Sequence, residues 1–192
     1  MVYWSKPDRN LIMAFISAQN NQEFSYADVG CSRQQAPRGY TADHHRIQLG
    51  KGFETFELAK RAVREWKMFE IPWIDLCWPD TPIKPGATVA VLVSHFGIWS
   101  LNACRIVYLI EEHSPWEKYG FAYGTLPDHR AHGEERFTVE FNHDDQMVWY
   151  DLYALSRPGI LARLAYPFAR ALQKRFARDS MAAMRKAIQN QP

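Results

Sequence analysis

Cysteine is scarce in this chain of 192 residues: Cys31, Cys77 and Cys104 are odd in number, widely spaced and form no C-x-x-C pair. That spacing excludes a disulfide framework and a zinc ribbon, and it points to a reducing, cytoplasmic setting. Long apolar runs are missing too. No stretch approaches the roughly 20 residues a membrane helix needs, so no transmembrane segment is expected. The opening MVYWSKPDRN has no basic start, apolar run or small-residue cleavage site, and no signal peptide is expected from it. There is no internal repeat, no low-complexity tract and almost no net charge, with 23 Lys and Arg against 21 Asp and Glu. The one glycine pair that suggests a phosphate turn, Gly50 and Gly52, lacks a third glycine, a downstream acid and a parallel βαβ setting. It reads as a strand bend, and no nucleotide cofactor is implied.

What the chain does have is apolar bulk. Hydrophobic residues make up 47% and aromatic residues 14%, including 7 tryptophans. Such content suits either a thick core or a roomy apolar cavity, because each aromatic ring buries a large area. The length fits one domain over 1–192, with an N-terminal helix and loop over 1–43 and the sheet and remaining helices over 44–192. Charge is unevenly placed. From Arg157 onward there are eight Lys and Arg against the single acid Asp179.

The spacing predicts a short helix capped by Asp8, with Leu11, Ile12, Phe15 and Ile16 on one face. Ser25–Tyr40 reads as loop. His45, Ile47 and Leu49 alternate with polar neighbours as a strand does, and from Phe53 the period becomes helical through Phe56, Ala59, Val63 and Trp66. Phe69–Pro85, with four prolines, reads as an irregular crossing holding a short extended piece. Five strands are then predicted over Thr88–His95, Ser100–Ile110, Tyr119–Leu126, Glu134–Asn142 and Met147–Ser156. Turns at Phe96–Gly97, His113–Ser114 and Asp144–Asp145 make them an antiparallel meander. A final helix is predicted from about Ile160 to Ile188, with Leu161, Leu164, Ala165, Phe168, Leu172, Phe176 and Met184 as its stripe and a kink at Pro167. A curved antiparallel sheet needs a cover for its apolar face, and this helix is the candidate. The expected fold is α+β, a helix-grip arrangement in which the sheet wraps a long C-terminal helix.

The runs FSYADVG (Phe24–Gly30), LGKGFETF (Leu49–Phe56), CRIVYLIEE (Cys104–Glu112), FAYGTLPDHRAHGEERF (Phe121–Phe137), ALSRP (Ala154–Pro158) and a late P-x-x-R-x-x-Q (Pro167–Gln173) resemble, in order, the family named domain of unknown function 1990. One departure is Asp128, where the pattern has glycine. The resemblance implies a fold similar to the START and birch-pollen-allergen helix-grip superfamily, whose members hold apolar or amphipathic molecules between sheet and helix. It implies no reaction.

Candidate chemistry concentrates in Tyr119–Phe137. By the two-residue period Glu135 shares a face with Phe137, Val139 and Phe141, so it points inward, where a carboxylate is costly unless paired. Arg105, among Leu101, Ala103, Val107 and Leu109, and Arg157, at the end of the last strand, are its expected partners. Such a group is either a charged anchor at a cavity mouth or a structural ion pair. Tyr123 and Gly124 belong to the same polar end: Tyr123 offers a hydroxyl, and the small residues Gly120, Ala122 and Gly124 leave room for a ligand or for the C-terminal helix. His129 and His132 beside Glu134 and Glu135 have zinc-ligand chemistry but not its helical spacing, and a solvated loop reads better than a metal site. Acid–base work by His129 or His132 with Glu135 is the catalytic alternative. The basic C-terminal helix reads as a solvated face rather than a nucleic-acid or membrane surface. The chain is thus expected to bind a small apolar or amphipathic molecule, with no metal, cofactor or nucleic acid. An enzyme on the same scaffold, or an interaction protein using the basic helix, are the alternatives.

Overall fold

Alternating side chains in long strands dictate a sheet with two faces, and this chain buries both. The computed structural model describes residues 1–78, 80–129, 131–157 and 166–189. In chain order the elements are β1 (Val2–Tyr3), α1 (Arg9–Gln19), β2 (Thr41–Lys51), α2 (Phe53–Arg64), β3 (Ile74–Cys77), β4 (Thr88–His95), β5 (Ile98–Glu112), β6 (Glu117–Thr125), β7 (His132–Phe141), β8 (Met147–Arg157) and α3 (Tyr166–Gln189). The strands form one antiparallel sheet in the order β2-β8-β7-β6-β5-β4-β3, with β1 beside the start of β5. Four consecutive hairpins carry β4 to β8. The tightest has Phe96 and Gly97 both at positive φ, the backbone a two-residue hairpin loop requires.

The inner face is lined by Val89 and Val91 of β4, Cys104 and Ile106 of β5, Phe121 and Tyr123 of β6, Phe137, Val139 and Phe141 of β7, and Val148, Tyr150 and Leu152 of β8. Against it pack Phe56, Ala59, Ala62 and Val63 of α2, the turn Trp66–Phe69, and Phe176, Ala177 and Met184 of α3. Phe69 is the hub of the aromatic contacts, with its ring 5.6 Å from Phe137 and 5.5 Å from Phe176. Two polar ties fix α3 in place: the buried hydroxyls of Tyr150 and Ser180 lie 2.9 Å apart, and Trp73 Nε1 donates to Asp179 at 2.8 Å. The architecture is helix-grip, as expected. The cover is broader than α3 alone, because α2 and the Trp66–Phe69 turn share it.

The outer face is covered in part. Ile12 and Phe15 of α1 cover Ala90, Leu92, Leu101, Ala103 and Leu126. Asp8 caps α1 as its position predicts, accepting from Leu11 N at 2.8 Å. The crossing Phe69–Pro85 contains a true strand, β3, at the edge of the sheet. Strand β5 is longer than expected and carries an irregularity between Ile106 and Tyr108. Pro167 lies within α3 as described. The expected start near Ile160, with Leu161, Leu164 and Ala165, lies outside the described residues, as do the side chain of Phe168 and any kink before residue 166. Among the described residues no helix is long and apolar enough to cross a membrane.

Phe137 is fully buried at the centre of the inner face. Phe137→Ala should lower the unfolding free energy by about 3–5 kcal/mol, the range for deleting a buried aromatic side chain. Urea unfolding measures it, and a loss below about 1 kcal/mol would contradict this packing.

Candidate functional site

Strand β7 distributes its chemistry by alternation: Glu134 and Arg136 go to the outer face, Glu135 and Phe137 to the inner. Gly133 begins the run because a side chain there is impossible, as a Cβ would lie 1.9 Å from the Leu155 carbonyl oxygen, and its φ is +153°. The two glutamates therefore serve different sites.

Glu135 lines a cavity of about 230 Å³ between the sheet and the first turns of α3. That exceeds the roughly 150 Å³ that suffices to admit benzene. Apolar walls come from Phe69, Trp73, Val91, Val93, Leu172 and Phe176, and the polar lining from Ser100, Asn102, Thr125, Ser156 and Gln173 together with Tyr123, His129 and Glu135. The Tyr123 hydroxyl donates to Glu135 Oε2 at 2.6 Å. Loss of hydration raises the Glu135 carboxyl to about 7; the Tyr123 hydrogen bond opposes the rise and the nearby Asp43 adds to it. Burial likewise pushes the Tyr123 phenol well above its ordinary value, with Glu135, Cys104 and Tyr150 adding to the effect. Asp43 behaves oppositely. The guanidinium of Arg170 holds both its oxygens and lowers its pKa, and Gln173 Oε1 accepts a further bond from Arg170 at 2.7 Å. His129 is also on the lining. Its Nδ1 lies 3.0 Å from both the amide and the carbonyl of Ala131, and the low-polarity surroundings push the ring down to about 4, so it is neutral at neutral pH.

The other expected site residues lie elsewhere. Arg105 does share a face with Leu101 and Ala103, but that face is the outer one. Its guanidinium donates to the carbonyls of Gln19 and Gln22 at 2.8 Å and of Asn20 at 3.0 Å, closing the C-terminus of α1. Gly124, opposite Arg105, is also outward: a Cβ there would sit 2.0 Å from the Tyr26 hydroxyl, so the room it leaves is taken by Tyr26 rather than by a ligand or α3. Arg157 pairs with Asp28 at 3.2 Å, donates to the Arg38 carbonyl at 3.0 Å and stacks on Tyr40 at 4.1 Å. His132 alternates with Gly133 onto the outer side, paired in register with Arg157 and away from the cavity lining. The expected ion pair of Glu135 with Arg105 or Arg157 is therefore replaced by a phenol–carboxyl pair. Among the described residues no group of three or more His, Cys, Asp or Glu could hold a metal ion.

Sequence reasoning named Glu134 only as part of a weak zinc-like set and missed its role on the outer face. Its carboxylate is buried on the outer face and gathers the loop preceding β2: Tyr26 Oη donates at 2.8 Å, Ser32 N at 2.9 Å, Ser32 Oγ at 2.6 Å, and Gly30 N donates as well. Ser32 Oγ also meets Tyr108 Oη at 2.8 Å, and Arg136 donates to the Ser32 carbonyl at 2.8 Å and to buried Asp151 at 3.2 Å. The signal was present as two motifs, FSYADVG and GEERF, which the fold brings together here. Asp128, the departure from the family pattern, accepts from Gln19 Nε2 at 2.8 Å and so ties the loop to the end of α1.

The sequence pattern described as "Domain of unknown function (DUF1990)" matches residues 25–183. The UPF0548 protein of Dictyostelium discoideum is 33% identical over 207 residues, covering 98% of this chain and 96% of that protein. The UPF0548 protein of Deinococcus radiodurans is 38% identical over 180 residues, covering 87% and 88%. Among solved structures, Ara h 8.0201 superposes with a TM-score of 0.50 at 12% identity, covering 79% of this chain and all of that one, a likeness of fold alone.

Two outcomes follow from the two carboxyls. Removing Glu134 by Glu134→Ala leaves several buried donors without an acceptor, each costing about 1–3 kcal/mol, so a loss of about 3 kcal/mol or more is expected, with faster proteolysis within 25–40. An unchanged melt and digest would refute the clasp. Glu135 has the reverse sign. Its folded pKa, about 7, lies above its ordinary 4.5, so the folded state binds the extra proton; stability is full below about 4.5 and falls as pH rises through 7. Glu135→Gln should therefore raise stability at pH 8 by up to about 3 kcal/mol and change little at pH 4. Parallel pH–stability curves for the two proteins would contradict the burial of this carboxyl.

Proposed function

The chain belongs to the DUF1990 family, and on that premise we propose that it binds a small apolar or amphipathic molecule between the inner face of the sheet and α3, its polar head set by Glu135 and Tyr123. The observation that carries this reading is a hydrogen-bonded phenol–carboxyl pair on the lining of a mostly apolar cavity. Ligand pockets have this make-up, mostly apolar with a few convergent polar groups. A core built only for stability would favour filling the volume and leaving no carboxyl there, since the buried acid costs free energy above neutral pH. Asn102, Thr125, Ser156 and Gln173 give the same end further donors and acceptors.

A second reading rests on a different observation, the elevated pKa of Glu135. A carboxyl near 7 is poised to take and return a proton at working pH, with Tyr123 orienting it and neutral His129 on the same lining as a donor or acceptor. Acid–base catalysis on a bound apolar substrate is the enzyme this scaffold supports.

The test is a thermal-shift and native mass spectrometry screen of lipids, aromatics and isoprenoids on the full chain. A true ligand at a hundredfold its dissociation constant adds about 2.7 kcal/mol. Ala154, opposite Glu135 on β8, lines the cavity, so Ala154→Leu should narrow it and abolish the shift with the melt of the free protein nearly retained. Hits that bind Ala154→Leu unchanged, or a screen with no hits, would refute the reading.

A further inference from the structure

Among the described residues, the acid that the cavity exposes has no cation of its own. Among the described lining residues there is no Lys or Arg; the polar groups besides Glu135 are hydroxyls, amides, the Tyr123 phenol, His129 and Glu134, whose carboxylate is already held by Tyr26, Gly30 and Ser32. The charged and titratable groups facing Glu135 come from every side of the cavity. Tyr123 of β6, Cys104 of β5 and Tyr150 of β8 are each raised by burial and stay neutral. His129 of the β6–β7 loop is held neutral too. Asp43 of β2 is anionic but already held by Arg170 of α3, which leaves Glu135 as the uncompensated acid. The two arginines that strand alternation offered as partners, Arg105 and Arg157, are both committed to the outer face. An anionic head would meet like charge from Glu135. A cationic head would restore the missing countercharge in a site of low polarity, where such pairing counts for most. The walls favour the same sign: Phe69, Tyr123 and Phe176 line the cavity, and aromatic faces attract cations, whereas the Trp73 ring already carries the Arg175 guanidinium at 4.6 Å.

We infer that the cavity selects an amine on an apolar body, its ammonium paired with the Glu135 carboxylate and lying against the aromatic walls. This rests on the ligand-binding reading above and adds the class of the head group. The raised pKa of Glu135 makes the choice pH-dependent: below about 7 the carboxyl holds its own proton, and an incoming ammonium must displace it.

The experiment is isothermal titration calorimetry of the full chain with three probes sharing one apolar body: 1-naphthylmethylamine, 1-naphthalenemethanol and 1-naphthoic acid. At pH 8 the amine should bind at least tenfold more tightly than the alcohol, and the acid more weakly than either. The amine's advantage over the alcohol should shrink toward pH 5.5 and vanish in Glu135→Gln. Should Glu135→Gln fail to fold, titration of the unaltered protein in buffers of different ionisation enthalpy gives a second readout, with about half a proton released per amine bound at pH 7. Equal binding of amine and alcohol, tighter binding of the acid, or no proton release overturns the amine assignment and leaves the cavity reading in place. If none of the three binds while the broader screen yields hits, the amine assignment also falls. A flat result in both experiments overturns the cavity reading itself.

Discussion

Two adjacent carboxylates cannot share one face of a strand, and the structure is arranged around that constraint. Strand β7 sends Glu134 to the outer face and Glu135 to the inner, and neither reaches bulk water freely. Glu134 is compensated by a full set of donors, two backbone amides and two hydroxyls from a loop with no regular strand or helix before the turn at Cys31–Arg33. That loop has little core of its own; it is ordered because a buried anion demands its donors. Glu135 receives one phenolic hydroxyl and an apolar cavity. The first carboxylate organises protein, and the second is left with capacity for something else.

Which face is inner was the main thing that sequence could not say. The period of β7 placed Glu135 correctly among Phe137, Val139 and Phe141 because its opposite face is polar. Strand β5 gives no such contrast. Leu101 and Ala103 pack under α1, while Cys104 and Ile106 face the core, so apolar residues fall on both sides and Arg105 read as inward. Only the position of α1, a long-range fact, assigns that face to the outside. The short extended piece expected in the proline-rich crossing is β3, four residues whose pairing partner, β4, is set by the sheet and not by local propensity.

The meander β4–β8 and the long final helix were legible because each hairpin carries its own turn chemistry and α3 its own apolar stripe. Of the residues singled out as a polar end, Tyr123, Glu135 and His129 come together on the cavity lining, while Arg105, Arg157 and Gly124 serve the outer loop and α1 and His132 lies on the outer side. The distinguishing information was the pairing of two distant motifs. FSYADVG read only as loop by its local pattern, and it is the segment that covers Gly124 and, with Ser32, satisfies Glu134.

A clasp on one side of a strand and a cavity on the other also separate what must be kept from what is free to drift. Ala154, Val91 and Leu172 line the inner volume and make no bond to Glu134, whose donors come from the loop on the other side. Descendants of one ancestral chain could thus diverge in what they carry while their most recognisable motif stays fixed. In such a lineage the strongest sequence signature would mark shared architecture, and the differences between members would mark their ligands.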